Sequence, residues 1–184
     1  MPRRPKLLDI HIYGDEVLRL KAAEVKQIDD ELHQFAEDLT HTMYKRDGVG
    51  IAAPQTGISK RIIVVDPHWS QDGKSREPLV MINPMIESSD GETETEEGCI
   101  SVPGIYARVV RPSEISVSFT ELSGERRLMK LSGYPAVVVQ HEYDHLEGIL
   151  FVDHLSTIAS LKIRRRLKDL ERTAVNGVNL RGTD

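Results

Sequence analysis

Apolar residues recur along this chain with two different periods, and the switches between them outline an α+β protein. Ile28, Leu32, Phe35, Leu39 and Met43 fall at helical spacing, with Asp29, Glu31, Glu37 and Asp38 between them. This predicts a first helix over about Ile28–Arg46 with those acids facing solvent. The next stretch, Gly48–Gly57 (GVGIAAPQTG), is too glycine-rich to continue a helix and too apolar for a plain solvent loop. Arg61–Asp66 is nearly continuous and β-branched, which predicts a strand buried on both faces. Leu79–Asn83, ending at Pro84, reads as its neighbour, and Ser70–Glu77 has hairpin-loop composition with Asp72-Gly73 at the tip. Ile115–Leu122 then alternates, with Ile115, Val117 and Phe119 on one face, and Ser123-Gly124 turns the chain into Arg127–Leu131.

Two helices close the chain. One runs over about Pro135–Leu146, with proline in its first turn and Gly148 as its stop. The last starts from Ser156 as N-cap and runs to about Arg172. Its apolar residues Ile158, Leu161, Ile163, Leu167 and Leu170 are expected to pack inward, leaving Lys162, Arg164, Arg165, Arg166 and Lys168 as a solvated basic side. The expected fold is mainly antiparallel sheet around the central second helix, flanked by an N-terminal and a C-terminal helix. Residues 1–172 are read as one catalytic domain and 173–184 as a flexible tail, frayed from about Asn176.

Composition narrows the function classes. The chain has 184 residues, 39% hydrophobic and 29% charged, which suits an ordinary globular domain. A net charge of −5 makes it no general nucleic-acid binder. No apolar run reaches the roughly 18 residues of a membrane span, and the basic N-terminus lacks a signal-peptide core. The expected location is the cytoplasm, and the same sequence is compatible with the processed form of an organellar enzyme. The single cysteine, Cys99, cannot form an intrachain disulfide; it reads either as an inert small hydrophobe or as a thiol available for chemistry.

The chemistry concentrates in His141-Glu142-Tyr143-Asp144-His145. Histidines four apart share one helix face and can reach a single ion, while Glu142, about 100° away, can hold the attacking water without being a ligand. The bland alternative is two surface histidines on a charged helix. Ala136, Val137, Val138 and Val139 argue against it, because a run apolar all round marks a buried helix whose histidines need polar partners. A catalytic metal site needs a third protein ligand. The HExxHxxGxxH pattern fits through Gly148 and then fails, since its last position is Phe151. That leaves His154, which would need a different turn, and Cys99, set in Glu97-Gly98-Cys99-Ile100-Ser101-Val102-Pro103-Gly104. A thiolate with two imidazoles makes a softer, less Lewis-acidic site suited to Fe²⁺, Co²⁺, Ni²⁺ or Zn²⁺.

Three segments, Gly48-Val49-Gly50-Ile51-Ala52-Ala53-Pro54-Gln55, Glu97-Gly98-Cys99-Ile100-Ser101 and Gln140-His141-Glu142-Tyr143-Asp144-His145-Leu146-Glu147-Gly148, stand in this order. Together they resemble the three motifs of the peptide deformylases, over most of the chain. Ile100 stands where that family often has leucine. The resemblance implies that Cys99, His141 and His145 hold one divalent metal ion, typically Fe²⁺, that Glu142 is the general base and acid, and that Gln55 and the backbone N–H of Ile100 bind the developing oxyanion. The implied reaction removes the formyl group from N-terminal formylmethionine of nascent chains and releases formate. It also suggests that Glu97 and Arg111 pair to brace the Cys99 turn, the plainer alternative being a solvated surface pair.

Further expectations combine the residues with what the resemblance implies. Gly48 and Gly50 leave room for a substrate backbone, and Val137 and Val138, one turn before His141, line a methionine pocket. Gly48-x-Gly50-x-x-Ala53 mimics a dinucleotide fingerprint, but it follows a helix rather than a strand, so no nucleotide cofactor is expected. The basic C-terminal helix suggests a ribosome contact. Two competing functions are a zinc endopeptidase, weakened by Phe151, and a non-catalytic ribosome-binding relative, which would need neither Glu142 nor Gln55.

Overall fold

The computed structural model describes residues 3–68 and 76–181, so the expected loop tip at Asp72-Gly73 lies outside the described residues. Helix α1 spans Asp30–Lys45 and is capped by the Asp29 side chain, which accepts from the Leu32 N–H at 2.9 Å. Asp38 departs from expectation: it is buried rather than facing solvent. Its carboxylate accepts from the Arg3 guanidinium at 2.9 Å and from the Lys6 N–H at 2.8 Å, which fastens the N-terminal arm over the helix. Helical periodicity could not reveal a partner so remote in sequence.

The main sheet is antiparallel. Strands β2 (Gly50–Ala52), β3 (Ile62–Val65), β4 (Leu79–Asp90), β7 (Glu114–Thr120) and β8 (Arg126–Ser132) lie side by side in that order. All of β3 is buried, as its β-branched run predicts. β4 does not end at Pro84. It continues to Asp90 across a register shift between Ile82 and Met85, where Asn83 adopts φ +50° and exchanges two hydrogen bonds with Val25. A bulge is a place where a sheet tolerates a proline.

A second sheet, the hairpin of β5 (Thr93–Cys99) and β6 (Val102–Arg111), escapes prediction because β5 reads as an acidic run. Its alternation is between two kinds of polar residue: Glu94 and Glu96 are exposed, whereas Glu97 is buried.

Helix α2 (Tyr134–Leu146) lies against the main sheet, where Ala136, Val138, Val139 and Leu146 share a core with Ile63, Val65, Val117 and Phe119. Gly148 ends it at φ +73°, and a Cβ there would fall 2.6 Å from the Arg19 carbonyl oxygen. Helix α3 (Thr157–Glu171), capped by Ser156, rests on β6 and on the short 3-10 turn Phe151–His154. Only Ile163 on this helix is buried, with Leu167 and Leu170 partly so, and Ile158 and Leu161 are 73% and 58% exposed. The expectation that all five pack inward fails because Ile158 and Leu161 lie roughly 140–160° around the helix from Ile163.

The C-terminal segment is not frayed as far as Arg181. Strand β9 (Leu180–Arg181) pairs with β1 (Ile10–His11), and Asn179, 4% exposed, is hydrogen-bonded on every side. Its N–H donates to Asp15 at 2.9 Å, its side-chain amide to the Tyr13 and Leu170 carbonyls at 2.8 Å each, and its carbonyl accepts from Ile12 at 2.8 Å. A tail with so few apolar residues is held by polar groups, which hydrophobic patterning does not register. Among the described residues, no helix is long and apolar enough to cross a membrane.

Candidate active site

Three elements converge on one cleft of about 670 Å³: the α1–β2 connection, the β5–β6 turn and helix α2. Glu142, Gln55, Ile100, Gly48, Gly50, Val137, Val138, Cys99 and His141 all line it. His145 stands behind them, 1% exposed.

The turn that carries Cys99 is tight. β5 ends at Cys99, β6 begins at Val102, and the register shifts between Gly98 and Cys99. A Cβ at Gly98 would lie 2.5 Å from the ring of Tyr106 across the hairpin, so a side chain there would have to displace that exposed ring. The Tyr13 N–H pins the far side of the turn by donating to the Ser101 carbonyl at 2.7 Å.

Sγ of Cys99 then lies 3.4 Å from Nε2 of His145, and one donor atom from each of Cys99, His141 and His145 lies within 4.8 Å of the others. A tetrahedral ion bonded at about 2.3 Å to sulfur and about 2.1 Å to nitrogen separates those two donors by about 3.6 Å. The three side chains therefore fit a divalent ion. The protonation state of His145 agrees. Burial first, then the charges of His141 and Arg111, push its pKa well below the ordinary value, so it is the neutral imidazole a metal requires. Its other nitrogen, Nδ1, is buried without a hydrogen-bond partner among the described residues. Burial pushes His141 down as well, but its contacts with Cys99 and Glu97 outweigh that and raise its pKa well above normal. The extra proton this favours is one that a metal ion on Nε2 would replace.

Alternative third histidines are ruled out by position. Phe151 is buried and stacks on the His141 ring at 6.0 Å, whereas His154 turns away to Asp144 at 2.7 Å.

A layer of charged groups fixes the ligands. Glu97 accepts from Arg111 through both oxygens, at 2.5 and 3.0 Å, and its Oε2 lies 2.8 Å from Nδ1 of His141. Arg111 reaches on to Asp144 at 2.8 Å, tying β6 to α2. Arg111 and Glu97 are 4% and 6% exposed, so the solvated-pair alternative does not hold. Burial alone would raise the Glu97 carboxyl; the hydrogen bonds from His141 and Arg111 overcome it and hold the pKa at about 2. Glu97 is thus an anion that selects the His141 tautomer with hydrogen on Nδ1 and frees Nε2. The Glu97–His141 contact, the Arg111–Asp144 contact and Ser101 were all missed in the sequence. The available signal for the first was that a ligating histidine is usually oriented by a carboxylate.

On the other side of the metal position, Gln55 is held rigidly. Its Oε1 accepts from the Ala52 N–H at 2.8 Å, while its Nε2 donates to Ser101 Oγ at 3.1 Å and approaches Cys99 Sγ at 3.3 Å. Glu142 is buried, and its Oε2 lacks a hydrogen-bond partner among the described residues. Burial, helped by repulsion from Glu97 and opposed by His141, raises its pKa to about 7. A divalent ion alongside would draw this down again. A Cβ at Gly50 would lie 2.5 Å from Oε1 of the buried Glu142, so glycine there also leaves room for that side chain.

Cys99, His141 and His145 thus cluster with the buried Glu142 and the fixed Gln55 amide at one cleft. The family model described as polypeptide deformylase matches residues 7–160. The chain belongs to the polypeptide deformylase family. A peptide deformylase of Thermosynechococcus vestitus is 44% identical over 163 residues, covering 88% of this chain and 85% of that one. Among solved structures, a peptide deformylase from Legionella pneumophila matches at 41% identity and a TM-score of 0.81, covering 90% of this chain and 96% of that one. Another, from Synechococcus elongatus in complex with actinonin, matches at 42% identity and 0.81, covering 95% of each.

The fold expectation therefore holds at the level of architecture and family. The chain is a metal-dependent hydrolase that removes the N-formyl group from N-terminal formylmethionine of newly made proteins and releases formate.

Proposed function

We propose that Cys99, His141 and His145 hold the deformylase's metal, that the native ion is Fe²⁺, and that Glu142, Gln55 and Ile100 carry the reaction around it. Zn²⁺, Ni²⁺ and Co²⁺ suit the same donors. When bound, the ion supplies Lewis acidity to the formyl group and to the attacking water. The chain does the rest. The observation that supports this reading most directly is the 3.4 Å separation of Cys99 Sγ and His145 Nε2, within a cluster whose other members are His141 and the adjoining Glu142.

Glu142 accepts a proton from water as its oxygen bonds to the formyl carbon, and then gives that proton to the amine as the C–N bond breaks. Burial raises its pKa, and with the ion bound it returns toward the ionised form, the form that takes the proton from water. Gln55 Nε2 and the Ile100 N–H donate to the formyl oxygen as it gains charge; one such donor is worth about 3–4 kcal/mol. Gln55 arrives pre-aimed, because Ala52 and Ser101 fix both ends of its amide. Val137 and Val138 receive the methionine side chain, and the Gly48–Gly50 segment lies beside the peptide backbone.

The test is formate release from a formyl-Met peptide, with metal content measured on protein purified without oxygen. Glu142→Ala should keep its metal and lose about 10²–10⁴-fold in kcat. Cys99→Ala should lose both metal and activity; a variant that retained both would refute the ligand assignment.

Two finer proposals concern setting. The work is placed in the cytoplasm, on nascent chains. The exposed basic residues of α3, beside exposed Ile158 and Leu161, offer a ribosome contact. Co-sedimentation with ribosomes should then weaken as salt rises; binding that is absent or insensitive to salt would dismiss it.

A further inference from the structure

We infer that Arg181 is a specificity residue of the deformylase, favouring substrates with a carboxylate side chain two residues after methionine. The inference rests on the reading above that the nascent peptide lies in the cleft. Arg181 closes β9, and its side chain lines the cleft beside Pro103 and Gly104, downstream of the Cys99 turn. Its position is built. Arg181 pairs with Ile10, and the residue two before it, Asn179, is buried and clamped by Asp15, Tyr13 and Leu170. Tyr13 is in turn bonded to the Ser101 carbonyl, so the tail and the metal-bearing turn share one scaffold.

The charge balance gives Arg181 its weight. Outside the catalytic groups and the Glu97 carboxylate paired with Arg111, the charged side chains lining the cleft are Arg46, Asp47, Glu96 and Arg181. Two cations face two carboxylates. Among the described residues the Arg181 guanidinium has no ion-pair or hydrogen-bond partner, and the residue is exposed at the cleft. The molecule as a whole carries −5, so without Arg181 the cleft mouth is acidic and repels an anionic peptide. The cation is available to a substrate carboxylate and disfavours a substrate lysine at the same place.

The test compares kcat/KM for formyl-Met-Ala-Asp and formyl-Met-Ala-Lys, both C-terminally amidated so that the side chain is the only difference in charge. The metal-loaded wild type should favour the Asp peptide by about two- to fivefold at low salt, the range of a solvent-exposed ion pair. That preference should shrink at high ionic strength. Arg181→Ala should abolish it, Arg181→Glu should reverse it and Arg181→Lys should restore most of it, all through KM. A purely structural tail residue would shift thermal stability without touching the ratio. An Asp/Lys ratio equal in wild type, Arg181→Ala and Arg181→Glu overturns the inference. Failure of the wild type to release formate from either peptide is a different result, which strikes the reading of the site and this inference with it.

Discussion

Helices α2 and α3 are of similar length, 13 and 15 residues, yet they are bound into the protein by opposite means. The first half of α2 is apolar all round, and in its polar second half Gln140 is bonded to the Pro112 and Ala136 carbonyls, His141 to Glu97, and Asp144 to Arg111 and His154, while Glu142 and His145 are held buried beside the cleft. α3 buries one side chain, Ile163, and leaves its charged residues exposed, with Arg166 reaching the Gly104 carbonyl. A helix that is to hold the two proposed metal ligands within a fraction of an ångström needs confinement from all sides. A helix that only covers a hairpin needs one stripe. The difference separates precision from mere attachment, and it can be measured.

The largest effect should come from the charged brace of α2. Arg111→Met leaves Glu97 buried beside His141 with no cation to pair it, and removing one partner of a buried pair costs about 3–5 kcal/mol. Denaturant unfolding should register that loss, and chelator competition should show metal affinity about 10–100-fold weaker. A variant as stable as wild type with equal metal affinity would mean that α2 is held by its apolar packing alone. Next is the contrast within α3. Ile163→Ala should cost about 2 kcal/mol, at the low end for a buried isoleucine with one helix side against the core. Ile158→Ser and Leu161→Ser should stay within about 0.5 kcal/mol, as exposed positions do. Equal losses at all three would show that α3 is packed on more than one face.

The same contrast explains what could be read in advance. α2 was legible because burial and metal ligation both leave marks in a short window: a proline start, four apolar residues, HExxH and a glycine stop. β3, with its unbroken Ile-Ile-Val-Val, was legible for the same reason. β5 was not, since Thr-Glu-Thr-Glu-Glu gives no apolar alternation, and the buried Glu97 is indistinguishable by type from the exposed Glu96. Asp38 and Asn179 were misread alike, each being buried by hydrogen bonds from segments remote in sequence. The ligands and Gln55 came from motif and resemblance. The reasons they are held where they are, Ser101 on Gln55 and Glu97 on His141, lie in distances that sequence spacing does not carry.

A smaller effect tests whether α2 also supplies the methionine pocket. Val138 lines the cleft at 5% exposure, so phenylalanine in its place has no room to turn outward. Overpacking of 1–3 kcal/mol, felt by the bound side chain, corresponds to a KM for formyl-Met peptides about tenfold higher. An unchanged KM would move the pocket elsewhere along the cleft.

The smallest effect concerns the tail, which is attached even more sparingly than α3. Asp15 is where it is anchored: the carboxylate accepts from the Asn179 and Val17 N–H groups and lies 2.6 Å from His11 Nδ1. Burial raises its pKa, but those hydrogen bonds and the charge of His11 outweigh it and leave the value below normal. A carboxyl group whose folded value is depressed releases its proton more readily in the folded state than in the unfolded one. Its contribution is therefore complete above the unfolded pKa of about 3.9 and is lost as pH falls through the lower folded value. Amide exchange at Asn179 should accelerate across that acid range while exchange in α2 stays slow. Asp15→Asn should remove the pH dependence at Asn179, because the amide does not titrate. If the tail and α2 instead loosened together, they would form one cooperative unit, and the contrast between confinement and attachment would stop at α3.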